Sequence, residues 1–331
     1  MLMAPSPTRE RAGGRMGDVR LATRALLAVS GGADSMVMAS LLLDSSPELV
    51  AGIATFDHGT GLAAAEAAAL VVAWADARGV PVFVGRGARL ARTEAAWRQA
   101  RWTFLRDVAA RNCAAVATAH TRDDQAETVF MRVLRGSGVR GLAGLLAPGP
   151  IVRPMLGLSR AEVRAFARAR DVPFLDDPSN HDPRYLRNRV RLEMLPILER
   201  EEPGFGDWLI SLGERSATWR DDVSAAVDEF WAPSVQENQT VHVRRTPSRL
   251  PDESEAALFW PEVAGRVGVA LDWRGTARLA SFTTKRSTGL RMPLSGGVIV
   301  RSERRGWTLE RAGAGGDSTA PPIGWHHAAV D

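Results

Sequence analysis

From Leu21 onward, short unbroken apolar runs alternate with longer stretches in which apolar residues recur at helical spacing. LLAVS (26–30), LVAGIATF (49–56), VPVFVG (80–85) and AAVATAH (114–120) read as buried strands. Helices are expected between and after them at about 36–45, 63–78, 94–111 and 123–135. Strands that are apolar throughout, and not alternating, belong to a parallel sheet covered on both faces. Right-handed crossovers then give a doubly wound α/β fold, whose ligands bind at the carboxyl ends of the strands.

A further helix is expected at 159–170 with Ser159 as N-cap, followed by the loop DDPSNHDP (176–183) and a helix at about 184–200. EEPGFG (201–206) reads as a linker. Helical patterns at 207–231 and 254–283 and a hairpin-like stretch, LRMPLSGGVIVRSERRGWTLER, make a smaller, mostly helical α+β unit. The expected organisation is a loose tail at 1–20, one domain at 21–200, a second at 205–311, and a loose tail at 312–331. The tryptophans at 208, 219, 231, 260 and 273 fall in helical stretches and are expected in the core.

Composition narrows the class. The chain has 331 residues, 45% hydrophobic and 24% charged, with no apolar run near the roughly 18 residues needed to cross a bilayer. A membrane protein is excluded, and a cytoplasmic location is expected. Cys113 is the only cysteine, so a disulfide framework, a CxxC pair and a two-cysteine sulfur relay are excluded as well. Net charge is +4 and basic residues are almost all arginine, Lys285 being the single lysine. Such an arginine bias suits phosphate binding but does not establish it.

Three polar signatures fall at strand ends. SGGADS (Ser30–Ser35) joins the first strand to a helix, where a glycine turn and a helix N-terminus together make an anion cradle. It is not a GxxxxGK[ST] loop, and GxGxxG is absent there. The second strand ends at Asp57 and His58, a pair that also serves ordinary turn chemistry. The third signature, TAHTRDDQAETVFMRVLRGSG, places His120 at a strand end and Asp123, Asp124 and Glu127 in the first turns of a helix. Acids there, with Arg132 and Arg135 at the far end and Gly136 beyond, also describe a well-capped helix. Three acids within five residues beside a phosphate cradle could instead hold Mg²⁺ or receive a substrate ammonium.

SGGADS, DHG and TAHTRDDQAETVFMRVLRGSGVRGLAGL together resemble the tRNA(Ile)-lysidine synthetase family of N-type ATP pyrophosphatases. RPMLGLSRAEVRAFARARDVPFLDDPSNHDPRYLRNRVRLEMLP (153–196) extends the resemblance. It is dense from about Leu21 to Leu198 and weaker to about Glu310, where LRMPLSGGVIVRSERRGWTL resembles the hairpin of the family's first C-terminal domain. The resemblance implies that ATP adenylates the C2 oxygen of the wobble cytidine of a tRNA(Ile) with a CAU anticodon. The ε-amine of free L-lysine then attacks C2 and AMP leaves.

The same resemblance implies that Ser30, Gly31, Gly32, Ala33, Asp34 and Ser35 bind ATP, with Asp34 a contact for Mg²⁺. Asp57, His58, His120, Asp123, Asp124 and Glu127 form the group that would serve catalysis, lysine or Mg²⁺; which residue does which stays open. Arg98, Arg101, Arg135, Arg187, Asn188 and Arg189 would meet tRNA or pyrophosphate, with Arg184 and Arg191 adding charge. Where the family often has DHGLR, this chain has Thr60 and Gly61 after Gly59, so no arginine role carries over. The same ATP loop occurs in tRNA thiolation enzymes, but those resembling this chain need paired cysteines. A non-catalytic tRNA binder would have no need of the acids. The domain at 205–311, with its hairpin, is expected to bind tRNA, and a homodimer is compatible with the sequence.

Overall fold

The computed structural model describes residues 15–311 except 60, 88–92, 236–239, 245–250, 286–287 and 295–296. Most of both expected tails, 1–14 and 312–331, lies outside the described residues. The chain forms two compact units, Met1–Ser216 and Ala217–Val330.

The first unit is built on five strands: β1 (Ala25–Ala28), β2 (Val50–Asp57), β3 (Val82–Arg86), β4 (Ala115–Ala117) and β5 (Ile151–Val152). They lie in the order β3-β2-β1-β4-β5, and every pair is parallel. The doubly wound α/β fold is therefore as expected, with one strand more than the sequence suggested. β5 has two residues, too few to leave an apolar run in the sequence. The helices of this unit are α1 (Ala33–Ser45), α2 (Leu62–Asp76), α3 (Glu94–Arg111), α4 (Arg122–Leu134), α5 (Val139–Leu142), α6 (Arg160–Ala169), α7 (Leu186–Arg189) and α8 (Leu195–Glu201).

β1 shows why its apolar residues do not alternate with polar ones. Ala25, Leu27 and Val29 enter a cluster with Met36 and Met38 of α1, Val71 and Trp74 of α2, and Val163 of α6. Leu26 points the other way, into a cluster with Leu105 and Val108 of α3 and Val116 of β4. Both faces are covered, so both sets of side chains leave water, each worth roughly 1.5–3 kcal/mol. The consequence for function lies at the carboxyl end of β1. Its neighbours β2 and β4 lie on opposite sides, so the winding reverses there and opens a crevice.

The helix expected at 184–200 is not continuous α-helix. α7 passes through a π-helical turn, Val190–Met194, before α8. Cys113 is exposed at φ +49° in the turn before β4.

A long helix, α9 (Phe205–Phe230), runs across the division between the units. The second unit holds β6 (Ser234–Val235), β7 (Val241–Arg244), α10 (Glu253–Gly265), α11 (Trp273–Thr283), β8 (Arg291–Leu294), β9 (Val298–Glu303) and β10 (Gly306–Arg311). Its antiparallel sheet has the order β6-β7-β10-β9-β8. The single helical pattern at 254–283 is two helices, each started by an aspartate cap, Asp252 and Asp272. Trp231, Trp260 and Trp307 pack edge-to-face and stacked at the centre of this core. The buried Trp260 indole donates to Thr283 Oγ1 at 2.9 Å. Trp231 and Trp260 are core residues as expected, whereas Trp208 and Trp273 are not: they are 48% and 75% exposed.

Candidate active site

The turn Ser30–Ser35 connects β1 to α1 at the point where the winding reverses. Gly31 has φ +87°, and a Cβ there would stand 2.9 Å from the Ala67 carbonyl oxygen of α2. The position therefore excludes any side chain. Gly32 has an ordinary φ of −78° and serves as the N-cap of α1, and a Cβ there would meet nothing closer than 3.7 Å. Ser35 Oγ donates to the Gly32 carbonyl at 2.9 Å and accepts from the Ser30 N–H at 3.1 Å. Its hydroxyl thus locks the turn from within. The helical ladder begins with Met36 N–H donating to Gly32, so the N–H groups of Ala33, Asp34 and Ser35 lie in the first turn, where no earlier helical carbonyl exists. These N–H groups and the positive end of α1 form the anion cradle.

Asp34 sits at the mouth of this turn. Burial raises its carboxyl pKa, the Asp124 carboxylate raises it further, and Arg160, Arg191 and Arg164 oppose the rise. Asp34 and Asp124 are thus close enough to repel, which joins the β1 turn to the signature after β4.

That signature forms a dense ionic network. Thr121 caps α4 in a capping box: Asp124 Oδ2 accepts from the Thr121 N–H at 2.9 Å and from its hydroxyl at 3.0 Å. The other oxygen, Oδ1, accepts from Arg160 Nη2 at 3.1 Å and Arg191 Nη2 at 3.2 Å. Glu127 is 1% exposed and is gripped by three arginines. Arg191 Nε lies 2.7 Å from its Oε1 and Nη2 3.0 Å from Oε2, Arg160 Nη2 lies 3.1 Å from Oε1, and Arg187 Nε lies 3.3 Å from Oε2. Burial would raise the Asp124 carboxyl, yet the surrounding groups, Arg160 foremost, hold it below its ordinary value. Asp123 Oδ2 instead accepts from the backbone N–H of Arg160 at 2.8 Å, fixing the start of α6 against α4.

Other residues singled out in the sequence divide into two groups. His120 follows β4, and its Nδ1 lies 2.9 Å from Thr118 Oγ1. Burial pushes its imidazole down to about 4, so it is neutral at pH 7. His58, at the end of β2, stacks edge-on against Phe56, and its ring also faces Trp97 of α3. Burial lowers its pKa, and Arg101 lowers it further. Arg101 also acts on His120, so it stands near both histidines. Arg187 belongs to the network through Glu127 and through Thr128 Oγ1 at 3.1 Å.

The remaining residues do local structural work. Asp57 is buried, accepting from the Gly59 N–H at 2.8 Å and pairing with Arg86 at 3.3 Å. Asn188 Nδ2 donates to the Asp182 carbonyl at 2.9 Å, and Arg189 Nη1 donates to the Pro183 carbonyl at 3.0 Å. Both close the 182–189 turn. Arg98 is exposed on α3, and Arg135 is exposed at the C-terminal end of α4, about 12–18 Å along the helix from the acids.

Arg160, absent from the sequence-based site, touches both acids, and Arg191, read there only as added charge, does so as well. The signal for Arg191 was its i,i+4 spacing from Arg187, which puts both on one helix face. Nothing in the local sequence marks Arg160, whose partners lie 33 to 37 residues earlier. The chemistry of the arrangement is that of an anion cradle flanked by arginines, with carboxylates that can take a cation in their place. Among the described residues no group of three or more His, Cys, Asp or Glu forms a metal cage.

A family model for a PP-loop domain matches residues 9–198. The chain is 41% identical over 254 residues to a tRNA(Ile)-lysidine synthase of Salinispora tropica, covering 73% of this chain and 74% of that protein. It is 34% identical over 297 residues to a tRNA(Ile)-lysidine synthase of Novosphingobium aromaticivorans, covering 80% and 89%. Among solved structures it is similar to U34-tRNA thiolase NcsA from Methanococcus maripaludis, at 19% identity and a TM-score of 0.49, over 62% of this chain and 75% of that one. The glycine turn at the β1/β4 switch point, the acids behind it and the match over most of the chain's length agree: this protein belongs to the tRNA(Ile)-lysidine synthase family of PP-loop proteins.

Proposed function

We propose that this chain is an ATP-dependent ligase that joins free L-lysine to C2 of the wobble cytidine in the CAU anticodon of tRNA(Ile). The observation that carries the reading is the direct electrostatic link between Asp34 of the SGGADS turn and the Asp124–Glu127 network. It supports reading a phosphate cradle and a cation-receiving site beside each other, as does the position of both signatures after the neighbouring parallel strands β1 and β4.

In the first half-reaction the C2 oxygen attacks the α-phosphorus of ATP and pyrophosphate leaves. The first-turn N–H groups of α1 hold the phosphates, and Arg160 and Arg191 supply cations against the charge of the leaving group. In the second half-reaction the lysine ε-ammonium gives up a proton to solvent, the free amine adds to C2, and the C2–O bond breaks so that the activated oxygen departs as part of AMP. Asp124 and Glu127 receive the ammonium of the incoming lysine in exchange for part of their arginine contacts.

The site residues fit Mg²⁺, because Asp34, whose charge is disfavoured by burial and by the Asp124 carboxylate, stands in the first turn of α1 beside the phosphate cradle. Bound there, the ion would neutralise phosphate oxygens, with Asp34 as its protein contact. No helix among the described residues is long and apolar enough to cross a membrane, and the cytoplasm is where the reading places the enzyme.

The test is incorporation of labelled lysine into tRNA(Ile) bearing CAU, with ATP and Mg²⁺, beside a tRNA(Met) control. Label on the first tRNA alone is expected. Pyrophosphate release without label would keep the adenylation step and remove lysine as the nucleophile.

A further inference from the structure

The second unit carries a segment of one-sided charge. Between Asp272 and Glu303 there is no carboxylate, yet Arg274, Arg278, Lys285, Arg286, Arg291 and Arg301 all fall there. Arg301 is neutralised by Glu310. Arg274, Arg278, Lys285 and Arg291 are exposed and form no ion pair among the described residues. α11 buries Gly275, Leu279, Ala280 and Thr283 and turns Trp273, Arg274, Ala277 and Arg278 to solvent. β8, an edge strand lying against α11, adds Arg291.

None of this helps the unit to fold. Arg274 sits in the first turn of α11, where a cation opposes the helix dipole. Arg278 follows it at i+4, a repulsive spacing for like charges. Arg291 lies directly across from Arg301, whose charge Glu310 already takes up, so Arg291 finds no acidic partner on the neighbouring strand. Trp273, 75% exposed, contributes almost nothing to the core, and the Arg274 guanidinium stands 5.3 Å from its ring centroid. A polyanion reverses the sign of each of these terms. A flat ring with a cation beside it is moreover a platform for a nucleobase.

We propose that the face formed by α11 and the outer edge of β8 is an RNA-binding surface. Arg274, Arg278, Lys285 and Arg291 contact backbone phosphates, and Trp273 stacks on an unpaired base. The proposal rests on the reading above that the substrate is a tRNA, and it says where the second unit grips that molecule.

The experiment measures binding of the full chain to full-length tRNA(Ile) bearing CAU at several salt concentrations. The variants are Arg274→Glu with Arg278→Glu, Arg291→Glu alone, Trp273→Ala and Trp273→Phe, each first checked for an unchanged Tm. The double reversal is expected to weaken binding at least about tenfold and to lower the slope of log K against log salt by about two. Trp273→Ala should weaken it about fivefold or more, and Trp273→Phe should keep most of the affinity. Pyrophosphate release at saturating tRNA should be unchanged, with KM for tRNA raised. Wild-type binding matched by folded variants, in affinity and salt slope, would overturn the proposal and leave the enzyme reading intact. A wild-type chain that binds no tRNA would overturn both.

Discussion

Arg191 and Glu127 meet fork to fork, with Nε 2.7 Å from Oε1 and Nη2 3.0 Å from Oε2, although 64 residues separate them in the chain. The π-helical turn at Val190–Met194 carries Arg191, while Arg187, on the preceding turn, reaches the same carboxylate. The pair is a structural tie between α4 and the 186–194 segment.

Removing one partner from such a pair leaves the other buried and unpaired. Arg191→Ala is expected to destabilise the chain by about 3 kcal/mol, partly relieved because Arg160 and Arg187 still touch Glu127. It should also cut pyrophosphate release at least tenfold. Arg191→Lys keeps the charge and loses the fork, so most of the stability should return and little of the activity. Thermal unfolding and pyrophosphate release, measured side by side, check both. Equal recovery of both in the lysine variant would refute a role for the fork in turnover.

Asp34 presents the opposite case. Its pKa is raised by burial and by Asp124, so the folded chain holds its negative charge unwillingly. Asp34→Asn should leave Tm unchanged or higher, while ATP-dependent pyrophosphate release falls by at least a hundredfold and tRNA affinity holds within about twofold. A lower Tm would mean that the carboxylate supports the turn, and the assignment to ATP and metal would fail.

The two glycines of the turn separate folding from phosphate access. Gly31→Ala meets a positive φ and the Ala67 backbone at 2.9 Å, so a loss of about 1–3 kcal/mol is expected. Gly32→Ala has neither obstacle and should fold with an unchanged Tm. Its methyl lies beside the first-turn N–H groups, so ATP affinity should drop by about tenfold. Isothermal titration with ATP, together with thermal melts of both variants, distinguishes the two effects. An undiminished ATP affinity in folded Gly32→Ala would show that phosphates do not approach this backbone.

How far the sequence disclosed this site depended on how local its signals were. Ser30–Ser35 could be read because turn, cap and strand end are contiguous, and Asp124 and Glu127 because they share one helix face. Arg160 could not, since it is recruited by contacts to α4 through its backbone and its guanidinium, neither of which leaves a pattern in residues 153–170. Asp57 looked like a catalytic carboxylate and is spent on the Gly59 turn and Arg86, because strand-end aspartates serve turns as readily as substrates. Trp273 was misjudged for a related reason. A helical period says that one face is buried, but α11 uses the face of Leu279 and Thr283 for that.

His120 gives a pH signature distinct from that of the carboxylates. Burial lowers its pKa from 6.5 in the unfolded chain to about 4 in the fold, so between those values the unfolded chain binds more protons. Stability from the neutral imidazole is therefore complete above about pH 6.5 and is lost as pH falls toward 4, in total about 3 kcal/mol. Asp124, held below its ordinary 3.8, gives a stabilisation that is lost as pH falls below that value. Urea unfolding of the wild-type chain between pH 7 and 4 should show the decline, and His120→Asn, which cannot titrate, should flatten it. The Thr118 hydroxyl contact at Nδ1 can be kept in part by the asparagine amide, which limits any constant offset between the two curves. An equally steep decline in the variant would assign the acid sensitivity to groups other than His120.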